Sequence, residues 1–258
     1  MKKTTVKRTI YILIGMIACS LPNGCARMER TTAVGPIATP QTFSVQTLGF
    51  SVERRPIDLY RAGSGYETIF IFAAIHGNEQ AGIPLCYRLM ERLRHRRDLL
   101  DKYRILIIPN ANPDGVVRNS RGNANGIDLN RNFPAANREN TSVFGYYALS
   151  EPESKLLSDL IEQYRPIRVV SLHQPLKCID YDGPAEALAR HIAAYCHLPV
   201  NKLGARPGSF GAYAGEKLGI ATITMELERA DDRLTADQLW QRYGAALMAA
   251  ITFPEPPY

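Results

Sequence analysis

The chain of 258 residues has five cysteines and no Cys-x-x-Cys pair. Cys19 and Cys25 lie at the end of an N-terminal apolar run, which leaves Cys86, Cys178 and Cys196 for the rest of the chain. An odd number without that spacing argues against a cysteine zinc site or a full disulfide framework. One bridge stays open in an oxidising compartment, with no pair singled out. Long apolar runs are missing too. Residues 9–21, "TIYILIGMIACSL", fall short of the roughly 20 residues that a membrane-spanning helix needs. Net charge is also scarce: four of the six net positive charges (Lys2, Lys3, Lys7 and Arg8) sit in residues 1–25, so the remainder carries only about +2. That is too little to argue for a nucleic-acid partner. The basic stretch 91–104, "ERLRHRRDLLDKYR", reads as the solvated face of a helix. No repeat or low-complexity tract is present.

The composition, 45% hydrophobic and 22% charged, is ordinary for a soluble globular protein. The length suits one α/β domain or two small ones. A basic start, the short apolar run and "PNGCARMER" follow the grammar of a secretory signal over residues 1–25. Cys19 and Cys25 each resemble the lipidated cysteine of a bacterial lipoprotein, but Met16 and Pro22 stand where leucine is usual. The expectation is an exported bacterial protein, periplasmic or held at the membrane by an N-terminal lipid. Residues 26–43 read as a tether and 44–258 as the folded domain.

Within 44–258 apolar strands alternate with helical patterns. "SVERRPIDLYRAG" reads as an edge strand or hairpin carrying one proline. "ETIFIFAAI" (67–75), "RILIIP" (104–109), "IRVVSL" (167–172) and "IATITM" (220–225) are runs expected of strands buried on both faces. Helical spacing covers 79–100 and 185–196, and two capping boxes, Ser150/Glu153 and Thr235/Gln238, open further helices. This alternation predicts an α/β fold with a largely parallel sheet and helices on both faces. Residues 110–149 form a loop-like stretch rich in Asn, Gly, Pro and Arg, long enough to suggest a functional loop.

The four buried strands end in residues able to do chemistry: His76, Asn110, His173 and Glu226. Sites in open α/β sheets form outside the carboxyl ends of the strands, so residues about 150 positions apart would meet there. His76, Glu79 and His173 make a His₂Glu set, the ligand chemistry of a catalytic zinc site with a position left for water. A His-x-x-Glu pair alone is weak evidence in a chain with five histidines; the conjunction at strand ends strengthens it. A general base is then required, and Glu226 and Glu228, on one face by strand alternation, are the alternatives. The long loop adds Arg118, Arg121 and Arg131, with Asn130 beside the last, in a form suited to carboxylates or a developing oxyanion. Arg118 alone reads as solvated.

The stretches "HGNEQAG", "NPDG", "GIDLNRNFP", "SLHQPLKCIDYDGPA" and "GSFGAYAGEKLGIATITMEL" resemble the zinc carboxypeptidases (the funnelin group), over roughly residues 47–250. Within that family they look most like the murein peptide amidase A branch. The resemblance implies a mixed, mostly parallel twisted sheet of about eight strands and one zinc ion held by His76, Glu79 and His173. It implies Glu226 as the general base, Arg121 as oxyanion donor, and Asn130 and Arg131 as the grip on a substrate carboxylate. The activity implied is zinc-dependent hydrolysis of an amide in peptidoglycan peptides, between γ-D-glutamate and meso-diaminopimelate. Asp180 or Asp182 could meet the distal ammonium of such a substrate, against the alternative of a turn built on "DYDGP".

One departure stands out. The family's digestive members carry a capping tyrosine where this chain reads "NKLGARP" (201–207), and Tyr213 lies just beyond. Other readings are a carboxypeptidase for ordinary C-terminal residues, a deacylase of the aspartoacylase type, and a non-catalytic cell-wall-binding lipoprotein.

Overall fold

The structure is a computed structural model that describes residues 43–255 and Pro257. The expected signal segment, both N-terminal cysteines and all of the tether except Phe43 lie outside the described residues. Among the described residues no helix is long and apolar enough to cross a membrane. Cys86, Cys178 and Cys196 are all free thiols.

Seven strands form one sheet: β1 (Ser44–Phe50), β2 (Pro56–Ala62), β3 (Glu67–Ala73), β4 (Tyr103–Ile108), β5 (Arg168–His173), β6 (Leu176–Asp182) and β7 (Ala221–Glu228). Among the described residues their order is β1-β2-β4-β3-β5-β7-β6, the expected mixed, mostly parallel sheet. The centre, β4-β3-β5-β7, is parallel, and the margins, β1-β2-β4 and β7-β6, are antiparallel. Pro56 opens β2, a position where its missing N–H costs no ladder bond.

Strand alternation sorts the core. Ile69, Ile71 and Ala73 of β3 pack on one side with α1 (Gly82–Leu93) and α6 (Ala236–Thr252). Phe70 and Phe72 pack on the other with α4 (Pro152–Tyr164), Leu129 and Phe133. Each fully buried side chain of this size contributes about 1.5–3 kcal/mol. Towards β6 the second face changes character. Val170, Leu172, Ile223, Met225 and Leu227 keep the first face apolar, while Ser171, His173, Thr224 and Glu226 border a cleft on the other. A one-residue slip would drive His173 and Glu226 into the apolar layer, so the pattern fixes the register here.

Four local expectations are corrected. The 79–100 helix is two helices, α1 and α2 (Arg97–Lys102). The break falls among Arg92, Arg94, His95, Arg96 and Arg97, where like charges repel along a continuous helix. The 110–149 stretch contains a short helix, α3 (Pro113–Arg118). The Ser150/Glu153 box does not form. Glu153 instead accepts from Val52 N–H (3.3 Å) and Asn123 Nδ2 (3.1 Å), and Ser150 donates to Glu151 (2.9 Å). The Thr235/Gln238 box is present and opens α6. Finally, "LKCIDYD" is the strand β6, with Ile179 on the apolar face and Cys178, Asp180 and Asp182 paired with Glu226, Thr224 and Thr222.

Candidate metal centre

His76 lies three residues beyond β3, on a turn entered through Ala74 at φ +54°. The turn closes by Glu79 N–H to His76 C=O (3.1 Å), and α1 begins only at Gly82, so Glu79 precedes the helix. Gly77 is required by contact: a Cβ there would lie 1.9 Å from the Gly115 carbonyl carbon in α3. Asn112, at the start of "NPDG", caps α3 through Gly115 N–H (2.9 Å) and donates to Ile75 C=O (3.1 Å). Gln174 holds the far side, accepting from Ala81 N–H (3.1 Å) and donating to Glu228 C=O (2.9 Å). Its own N–H reaches Glu79 Oε2 (3.1 Å).

These ties bring His76, Glu79 and His173 together, all buried, with one donor atom from each lying within 4.8 Å of the others. His76 Nδ1 and His173 Nδ1 each stand 2.9 Å from a different oxygen of Glu79. Burial alone would raise the Glu79 carboxyl, but hydrogen bonds from His173 and His76 hold it well below the usual carboxylate range. His76 Nε2 stands 3.0 Å from Asp128 Oδ1. A proton on Nε2 donated to Asp128 leaves the Nδ1 lone pair for a metal, the usual arrangement behind a ligating histidine. Two imidazoles and an ionised carboxylate at this spacing fit an open zinc site.

Glu226 faces His173 across the β5–β7 ladder and accepts from Leu176 N–H (3.3 Å). Burial pushes its carboxyl above the usual range; His173 opposes this and Glu79 adds to it. Glu228 is turned elsewhere, bonded to Lys177 (2.9 Å) and His197 (3.1 Å). Arg121 is half-exposed, its Nε held by Asp128 Oδ2 (2.9 Å) and its Nη1 3.4 Å from Glu79. Asp128 also accepts from Asn130 N–H (3.0 Å), opening the one-turn segment Leu129–Arg131. Asn130 Oδ1 accepts from Phe210 N–H (2.8 Å), and Arg131 lies over the Phe144 ring.

A cleft of about 180 Å³ is lined by nine of the residues singled out from the sequence: His76, Glu79, Arg121, Asn130, Arg131, His173, Asp180, Asp182 and Glu226. Four others do not reach it, Glu228 being held by Lys177 and His197. Asn110 binds the neighbouring Asn112 N–H (3.2 Å), and Arg118 pairs with Glu53. Tyr213 is buried, accepting from Ser158 (3.0 Å) and donating to Glu162 (3.3 Å), so it cannot cap a substrate. Sequence reasoning missed Asp128 and Gln174. Asp128 opens the quoted "DLNRNFP", but only its contact across the fold to His76 reveals its part. Gln174 follows His173 directly, and nothing local marks it.

The zinc carboxypeptidase family profile matches residues 36–183. Murein peptide amidase A of Escherichia coli strain K12 is 33% identical over 195 residues, covering 69% of this chain and 76% of the relative. Murein peptide amidase A of Vibrio campbellii is 30% identical over 234 residues, covering 82% and 88%. The crystal structure of the murein-tripeptide amidase MpaA from Escherichia coli O157 superposes with a TM-score of 0.69 at 30% identity, over 84% of this chain and 95% of that one.

Proposed function

The chain belongs to the zinc carboxypeptidase family of hydrolases, and we propose that it cleaves an amide in peptidoglycan-derived peptides, between γ-D-glutamate and meso-diaminopimelate. The observation that carries this reading is the composition of the cleft. It joins the His76–Glu79–His173 donor set and Glu226 to a wall bearing two buried acids, Asp180 and Asp182, where an apolar C-terminal side chain would need apolar contacts. The named relatives, murein peptide amidases, support the same substrate class.

In this reading His76, Glu79 and His173 hold one zinc ion. The chemistry zinc supplies in such a site is Lewis-acid polarisation of a carbonyl and a water made acidic near neutral pH. The protein's own groups do the rest. Glu226, raised by burial, takes the proton of the attacking water and delivers it to the leaving amine. Arg121, clamped at Nε by Asp128, donates to the oxyanion. Asn130 and Arg131 hold a carboxylate of the substrate; burial pulls the Arg131 guanidinium below its usual range, with Asp128 opposing and Arg121 and Arg206 adding to the effect.

Mass spectrometry of muropeptides incubated with the protein, with and without chelator, tests the reading. A chelator-sensitive mass loss at the γ-D-glutamyl bond supports it. Release of ordinary C-terminal residues points to a carboxypeptidase, release of an N-acyl group to a deacylase, and no cleavage to a binding protein. Export and an N-terminal lipid belong to the same proposal, because a wall substrate lies outside the membrane. Incorporation of a fatty-acid analogue at Cys19 or Cys25 would support the lipid, and an unlabelled mature protein would remove it.

A further inference from the structure

Arg121 and Asp128 meet across the ends of the loop 122–127, and that loop is closed by a side chain lying outside the cleft. Asn123 is 2% exposed, and its amide is used on both sides. Oδ1 accepts from Asn125 N–H (3.1 Å) and Ile127 N–H (3.2 Å) within the loop. Nδ2 donates outward, to Glu151 Oε2 (2.7 Å) and Glu153 Oε2 (3.1 Å). The backbone of Asn123 closes the same turn, donating to Ile127 C=O (3.0 Å) and accepting from Gly126 N–H (2.9 Å). The closure is tight: a Cβ on Gly122 would fall 2.8 Å from the Gly126 carbonyl carbon. Glu151 and Glu153 are buried at the start of α4, where the helix dipole favours acids. Among the described residues neither has an ion-pair partner, so they share the Asn123 amide instead of a cation. Asp128 has holds of its own beyond the loop: its N–H reaches Val143 C=O (2.8 Å) and its side chain reaches His76. Arg121 has the loop behind it and only Asp128 and Glu79 at its head.

We infer that Asn123 is a positioning residue for Arg121: clasped by Glu151 and Glu153, it closes the 122–127 loop at the span that sets the Arg121 guanidinium on Asp128 and in the cleft. The inference rests on the proposed oxyanion role of Arg121 and goes beyond it by assigning what holds that donor. A donor to a developing oxyanion works only where it stands ready, and a displacement of about 1 Å can cost about a hundredfold in rate. Loss of the Asn123 amide strips two buried carboxylates of a donor and two loop N–H groups of their acceptor. Buried groups left unpaired are costly, so the loop opens to water rather than staying closed. Asp128 keeps its ties to Val143 and His76, and the metal-donor set stays with it. The damage therefore falls on turnover and spares metal binding.

The test is a double-mutant cycle on the zinc-loaded protein with a muropeptide substrate: wild type, Asn123→Ala, Arg121→Ala and the pair. Asn123→Ala should lower kcat by about tenfold or more, with KM and zinc stoichiometry near the wild-type values. In the Arg121→Ala background the same change should cost less than about twofold, because the group it positions is gone. A residue that merely holds the fold lowers kcat by the same factor in both backgrounds, and that result would overturn the inference while leaving the oxyanion role standing. An unaltered kcat in Arg121→Ala would instead remove the oxyanion role, and no cleavage by wild type would remove the amidase reading. In either case a crystal structure of Asn123→Ala decides the clasp without reference to turnover. Arg121 should leave Asp128 while Asp128 stays beside His76; an Arg121 unmoved from Asp128 overturns the inference. Where Asn123→Ala folds poorly, Asn123→Ser, whose hydroxyl is too short to join the loop to both acids, takes its place in each measurement.

Discussion

His173 and Glu226 are register partners on adjacent parallel strands, so the proposed metal-donor side chain and the proposed acid–base carboxylate are spaced by the sheet ladder itself. Groups mounted on rigid central strands hold their geometry better than groups on loops. The two can therefore be separated by mutation: one removes a donor, the other removes proton transfer.

Glu226→Gln should lower kcat by about 10²–10⁴-fold, the usual worth of a positioned general base. Zinc stoichiometry, measured by elemental analysis, should stay at the wild-type value. Retained turnover, or loss of zinc along with activity, would contradict the role.

His173→Ala should behave in the opposite way. A ligand that binds only the folded state stabilises by mass action, about 2.7 kcal/mol at a free concentration a hundred times Kd. Zinc added to chelator-stripped wild type should raise the melting temperature, and the same addition should do little for the variant. Equal shifts in both proteins would remove His173 from the donor set.

Asp128 touches His76 and Arg121 but belongs to neither the donor set nor the acid–base pair. Asp128→Asn should weaken zinc binding by about 10–100-fold, as loss of the partner behind a ligating histidine does. Competition with a chromogenic chelator reads this directly. A variant that binds zinc as tightly as wild type but folds less stably would reduce Asp128 to a packing role.

Asp182 gives a pH signature. Burial, then Asp180 beside it and Glu216 on the π-helix Gly211–Lys217, push its carboxyl up to about 6, with Lys202 opposing. The folded state therefore holds this proton more tightly than the unfolded chain does, and stability falls as pH rises from about 4 to about 6. Asp182→Asn removes that cost. Its melting temperature relative to wild type should climb between pH 4 and pH 7 and level off above. A difference that shrinks over that window would mean the carboxylate is paired in the folded protein.

Much of the site was legible because chemistry and topology coincide at strand ends. Apolar runs locate β3, β5 and β7, and the residues that follow or close them are His76, His173 and Glu226. The same logic misled at Asn110, whose side chain serves the local turn. β6 was illegible because its acids interrupt any apolar run; Ile179 and Tyr181 are too few to outweigh a turn reading of "DYDGP". The choice of Glu226 over Glu228 could not come from alternation, which gives both the same face. In the sequence only the resemblance separates them; in the fold, Lys177 and His197 draw Glu228 aside.

The antiparallel placement of β6 at the sheet margin has a consequence for how such a protein can change. One side of that strand, Ile179, belongs to the hydrophobic core; on the other, Asp180 and Asp182 line the cleft. Under the proposed function, substrate preference is written on alternate letters of a single peripheral strand, and those letters can be rewritten while the intervening ones go on holding the fold. Exchange of the even-numbered positions there would retune the protein without redesigning it.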